Sequence, residues 1–149
     1  MRIIAFDLGR NMAWAHNADP FTSHVEHMLF EGARAERLGK IQAMLPLILK
    51  NTPKDFDILV YETPFARGRD ATRSLWGIAG LLEACAYNAG MAVVDVAVPT
   101  IKKFATGDGR ASKEAMIEAS KNFGYKGNNE HEADALCLLR YAEANLERV

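Results

Sequence analysis

The sequence predicts an α/β domain, on three observations. Short runs of β-favouring residues, at 3–6, 57–61 and 91–96, are separated by longer stretches whose apolar residues recur at helical spacing. The first run, Ile3, Ile4, Ala5 and Phe6, is apolar throughout rather than alternating, which marks a strand covered on both faces. Two of the runs deliver a carboxylate at their ends, Asp7 and Glu62. An acid carried out of a core on a buried strand is held more rigidly than one on a loop, and metal binding or catalysis needs that rigidity.

At 149 residues, with 49% hydrophobic and 25% charged residues, the chain reads as one globular domain, 1–149, rather than a disordered segment. No apolar run approaches the length of a membrane span. The first residues enter a strand with no cationic leader before it, so a cytoplasmic location is expected. A net charge of −1 argues against a protein that coats nucleic acid by bulk positive charge. The basic residues are nevertheless grouped, with Arg67, Arg69 and Arg73 in one segment and Lys102, Lys103, Arg110 and Lys113 in another. Cys85 and Cys137 lack metal-type spacing and read as free thiols.

Gly9 turns the chain after the first strand. Residues 11–17 and 25–30 are β-like, with Asp19 and Pro20 between them, and so predict an antiparallel meander of three strands. Leu38, Ile41, Leu45 and Ile48 or Leu49 predict a first helix over 34–50, closed by Asn51, Pro53 and Lys54. Pro46 predicts a kink or an earlier end. The strand at 57–61 delivers Glu62, and Thr63 with Pro64 turns the chain out of the sheet. A long helix over 70–88 carries Leu75, Ile78, Ala79, Leu82 and Ala86 on its apolar side. Its Gly77 and Gly80 call for a close helix contact, either core packing within the chain or a seam between two chains.

After the strand at 91–96, Pro99 opens a short helix through Phe104. The loop TGDGRASK at 106–113 is glycine-rich and basic but lacks the lysine that must directly follow the last glycine of a phosphate-binding P-loop. Ser112 is the expected N-cap of a helix over 113–122. Residues 124–129 read as a turn. The last helix, 130–146, has Ala133, Leu136, Cys137, Leu139 or Arg140, and Ala144 on or near its buried side.

That last helix opens EHEADAL, with His131 and Asp134 three apart on one face. Glu130 and Glu132 suit the positive end of the helix dipole. Asp134 sits among Ala133, Ala135 and Leu136, where an uncompensated carboxylate is costly. Asp7, Glu62 and Asp134 with His131 would make a mostly oxygen site, which suits magnesium or manganese rather than zinc. Such a set suits phosphoryl transfer with two ions about 4 Å apart and Asp7 between them. His131 could be a ligand, a general base or a group that orients water.

Four ordered blocks, IIAFDLG, LVYETPF, TIKKFATGDGRASKEAM and HEADAL, make the chain resemble the RuvC family of Holliday junction resolvases in the RNase H-like superfamily. The resemblance implies a mixed five-stranded sheet flanked by helices, and a homodimer in which each subunit nicks one strand of a four-way DNA junction. It puts Asp7, Glu62 and Asp134 on the family's metal-binding carboxylates, served by Mg2+ or Mn2+ with two ions per active site. His131 falls where many members have a fourth carboxylate and some have histidine. Lys102 or Lys103, and Lys113, fall on lysines near the scissile phosphate, where a cation stabilises developing charge.

Phe65 matches the family's aromatic wedge into junction DNA, flanked by Pro64 and Arg67; the alternative is that it folds back into the core. The helix with Gly77 and Gly80 corresponds to the family's dimer helix. With Phe65, the cations Arg67, Arg69, Arg73, Lys102, Lys103, Arg110 and Lys113 form the expected DNA-binding set. The chain is short for the family, and this compact form points to a bacteriophage or other divergent branch; Thr63-Pro64 stands where a glutamine-containing loop is usual, so a relaxed or different sequence preference at the cut site is expected. Two rivals remain. One is a nuclease of the same fold acting on RNA–DNA hybrids or other DNA structures. The other is a small actin-like nucleotide-binding protein, disfavoured because the chain is too short for two duplicated domains.

Overall fold

In the computed structural model the described residues are 1–19, 24–50, 56–65 and 68–146. The chain runs β1 (Ile3–Asp7), β2 (Asn11–His16), β3 (His24–Leu29), α1 (Arg34–Lys50), β4 (Ile58–Glu62), α2 (Arg69–Asn88), β5 (Ala92–Val96), α3 (Val98–Thr106), α4 (Lys113–Lys121) and α5 (Glu130–Asn145). These strands form one mixed five-stranded sheet in the order β3-β2-β1-β4-β5. The meander β1-β2-β3 is antiparallel, whereas β4 and β5 join parallel to β1 through helical crossovers.

Strand alternation sorts the core into two layers. Ile3 and Ala5 of β1 and Ile58 and Val60 of β4 face a cluster closed by α5, with Ile101 of α3 and Met116 of α4. Ile4 and Phe6, with Leu59 and Tyr61, face the opposite cluster, closed by Ile41 and Leu45 of α1 and Ile78 and Leu82 of α2. Covered on both sides, β1 is buried along its whole length, as its unbroken apolar run predicts. The edge strand β3 is instead mostly exposed.

Several local expectations change. α1 continues through Pro46 to Lys50, because Pro46 and Gln42, whose carbonyl loses a donor, are both exposed to water. The closing residues Asn51, Pro53 and Lys54 lie outside the described set, as does Pro20 of the predicted turn. α5 ends at Asn145, and Ala144 is exposed rather than on the buried side. Gly77 serves packing within the chain: a Cβ there would stand 3.2 Å from Leu38 of α1, while one at Gly80 would meet open space. Both cysteines are free, Cys137 buried and Cys85 half-buried.

Candidate metal centre and nucleic-acid face

Register brings the first two acids together. β1 and β4 are parallel neighbours with Phe6 opposite Tyr61, so Asp7 and Glu62 leave the sheet side by side at the same end. Both continue the parity that faces α5, following Ile3 and Ala5 in one strand and Ile58 and Val60 in the other. The third acid, Asp134, comes from α5, which packs across that face by its buried Ala133, Leu136 and Cys137. Carboxylate oxygens of Asp7, Glu62 and Asp134 all lie within 4.8 Å of one another.

Burial makes this grouping costly without a cation. Asp7 is only 6% exposed, and desolvation, then the charge of Asp134, raises its pKa well above the carboxylate range. Burial and then the Asp7 charge raise Glu62 in the same way, so the two neighbouring carboxyls resist being ionised together. Burial pushes Asp134 up to about 6. Three crowded oxygen donors fit a divalent hard cation, whose charge would remove both penalties.

His131 stands beside this trio and reaches it through Asp7, with Nδ1 2.9 Å from Asp7 Oδ2. Its Nε2 lies 3.4 Å from Glu130 Oε1. Lys102 acts on the cluster by charge, favouring ionised Glu62 and Asp134, and Lys113 does the same for Asp134 while pairing with Glu130 Oε2 at 3.3 Å. Lys103 and Arg110 are exposed. Arg69 and Arg73 lie exposed on the first turns of α2, and Arg67 falls outside the described residues. Phe65 is 84% exposed, so it does not fold back into the core.

The acids Glu130 and Glu132 do more than complement a dipole. Asn129 is the N-cap of α5, its side chain accepting from the N–H groups of His131 and Glu132. Asn129 followed by Glu132 is a capping-box pattern, yet Glu132 does not turn back to the cap. It accepts from the Tyr125 hydroxyl at 2.9 Å and lies 2.8 Å from His27 Nδ1 on β3. The Tyr125 oxygen takes the vacated role, accepting from the Asn129 N–H at 2.9 Å. The start of the helix that carries His131 and Asp134 is thus tied to β3 and to its own preceding turn.

On the other side of the site, the Thr63 hydroxyl donates to Asp95 Oδ2 at 2.7 Å and holds the exit from Glu62 against β5. We expect Tyr125→Phe, which orphans the Asn129 N–H, to lower unfolding free energy by about 1–2 kcal/mol in urea titrations.

An RNase H-like α/β fold with three converging carboxylates is the class defined by this architecture. Its particular form is RuvC-like. Thermus thermophilus RuvC superposes with a TM-score of 0.73 at 20% identity, covering 97% of this chain and 96% of that one. T. thermophilus RuvC in complex with a Holliday junction substrate superposes with a TM-score of 0.77 at 21% identity, covering 93% of this chain and 90% of the other. No protein-family model and no curated protein matches by sequence. Among the described residues, no helix is long and apolar enough to cross a membrane.

Proposed function

We propose that this chain is a divalent-metal-dependent endonuclease that resolves Holliday junctions and other branched DNA by paired symmetric nicks through two-metal hydrolysis. The observation that carries this reading is the convergence of Asp7, Glu62 and Asp134 on a fold shared with T. thermophilus RuvC, itself solved with a Holliday junction substrate. Asp7, Glu62 and Asp134 would hold Mg2+ or Mn2+, two ions per site, with His131 as a fourth ligand or as a base for the attacking water. Bound there, the ions supply an activated water and charge stabilisation for the leaving oxygen.

The remaining work belongs to the chain's own side chains. Lys102 and Lys113 hold the scissile phosphate beside the carboxylates. Phe65 opens base stacking at the branch point, while Arg67, Arg69, Arg73, Lys103 and Arg110 grip backbone phosphates. Paired nicks need two copies, joined through α2, where Trp76 is 48% exposed and Gly80 faces open space. The setting is the cytoplasm of a bacterial or phage-infected cell.

The test is cleavage of a labelled synthetic four-way junction, beside linear duplex, flap and RNA–DNA hybrid, by wild type and Asp7→Asn. Paired symmetric junction nicks absent from the mutant support the reading. Dominant flap or hybrid cutting moves the same chemistry to a different substrate, and nucleotide binding without cutting points to the actin-like rival. Manganese is expected to support at least as much cutting as magnesium; inactivity in manganese would argue against His131 as a ligand. Phe65→Ala should leave folding stability within about 0.5 kcal/mol, because the ring is exposed, while slowing junction cutting about tenfold. Equal cutting rates would remove Phe65 from the DNA interface.

A further inference from the structure

A cavity of about 390 Å³ opens beside the end of β1, on the α1–α2 side of the sheet and therefore on the face opposite the carboxylates. Ala71, Leu75 and Ile78 of α2 give it an apolar wall. Its polar lining is Arg10, Arg37, Ser74 and Asp70, two arginines against one carboxylate. Arg37 is already held in place, donating to the Gly32 carbonyl at 2.7 Å and to Ser74 Oγ at 3.4 Å. Arg10 is exposed and, among the described residues, its guanidinium has no hydrogen bond or ion pair.

An apolar wall with cations beside it fits a nucleotide, with the base on the aliphatic side chains and the phosphate on the guanidinium groups. The volume falls within the range of small-ligand sites. The position fits as well. Gly9 and Arg10 follow Asp7 by two and three residues, so the cavity begins within about 10 Å of the cluster. A strand held at the carboxylates on one face can cross the end of β1 and enter the cavity on the other. Only an unstacked base can do so. The exposed Phe65 ring lies four residues before α2, whose first turns form the cavity wall, so a wedge and a receiving pocket sit at the start of one helix.

We propose that this cavity is a nucleotide subsite that takes one unstacked nucleotide of the DNA strand being cut, its base against Leu75 and Ile78 and its phosphate on Arg10 and Arg37. The proposal rests on the nuclease reading and adds to it a specific contact outside the carboxylate cluster.

Junction binding is measured against salt concentration in an Asp7→Asn background, where no strand is cut, with a fluorescent adenine analogue beside the expected cut position. Arg10→Ala is expected to weaken binding about tenfold and to make the salt dependence shallower by about one phosphate per subsite. Ala71→Phe, which fills the cavity from an exposed helix position, is expected to abolish the brightening that marks the unstacked base. Affinity and salt slope unchanged in Arg10→Ala, or brightening unchanged in Ala71→Phe, would overturn the subsite. If wild type cuts junctions normally and both variants equal it, only the subsite falls. If wild type neither binds nor cuts branched DNA, the nuclease reading falls and the subsite falls with it.

Discussion

Asp7→Asn is expected to abolish strand cutting and, at the same time, to stabilise the metal-free protein. Asparagine keeps the shape of the side chain and an oxygen for the His131 contact at 2.9 Å, but removes the charge that the cluster exists to present. Loss of outer-shell partners typically costs 10–100-fold in metal affinity or activity, so loss of a central carboxylate should exceed about 100-fold. Stability should move the other way, because the substitution removes a carboxyl that is 6% exposed and repelled by Asp134. Cleavage assays and thermal melts in chelator read the two effects on one preparation. A variant that cuts normally, or that melts below wild type in chelator, would show that Asp7 is a structural acid.

The second large effect is a pH dependence opposite to that of most carboxylates. Asp134 has a folded-state pKa raised by burial to about 6 from an ordinary value of 3.8. Between those values the folded chain holds a proton that the unfolded chain has released, so stability is full below about pH 4 and is lost as pH rises through about 6. That shift corresponds to about 3 kcal/mol at neutral pH, or a melting change of roughly 10 °C for a domain of this size. Asp7 and Glu62 act in the same direction. His16, whose pKa is lowered by burial and by His24, acts in the opposite one, so the quantity to measure is the difference between wild type and Asp134→Asn. In chelator that difference should grow with pH from 4 to 7, and saturating magnesium should reverse it. A difference that stays flat with pH would mean that Asp134 is compensated by the protein itself.

Much of this arrangement was legible because strands announce it locally. The unbroken apolar run before Asp7 gives a central strand buried on both faces, and the run before Glu62 gives its parallel neighbour. Helical spacing locates α1 from Arg34 to Lys50, and Ser112 caps α4 by accepting from the Ala115 N–H at 3.1 Å, as its position before the helix implies. The convergence of Asp7, Glu62 and Asp134 followed from the four ordered blocks rather than from spacing, since no local rule joins residue 7 to residue 134.

What was not legible is contact between distant segments. His27 and Glu132 meet across 105 positions, and nothing in either neighbourhood distinguishes that acid from a dipole-complementing one. Arg10 reads as an ordinary surface cation until α1 and α2 close a cavity around it. Exposure of Phe65 was undetermined for a related reason: a proline-containing turn fixes where the chain leaves the sheet but not which way the next ring points.

The contacts of α5 also have a consequence for biosynthesis. Asp7 leaves the ribosome more than a hundred residues before Asp134 and the helix that covers that face of the sheet. A nascent chain that has made all five strands still lacks its third acid and the helices that close one of its two core clusters. Domains fold as units as synthesis delivers them, so the three-carboxylate cluster would form only in the step that docks α5. A chain broken or stalled before α5 would then hold Asp7 and Glu62 but not the third carboxylate, so it could not assemble the candidate metal centre.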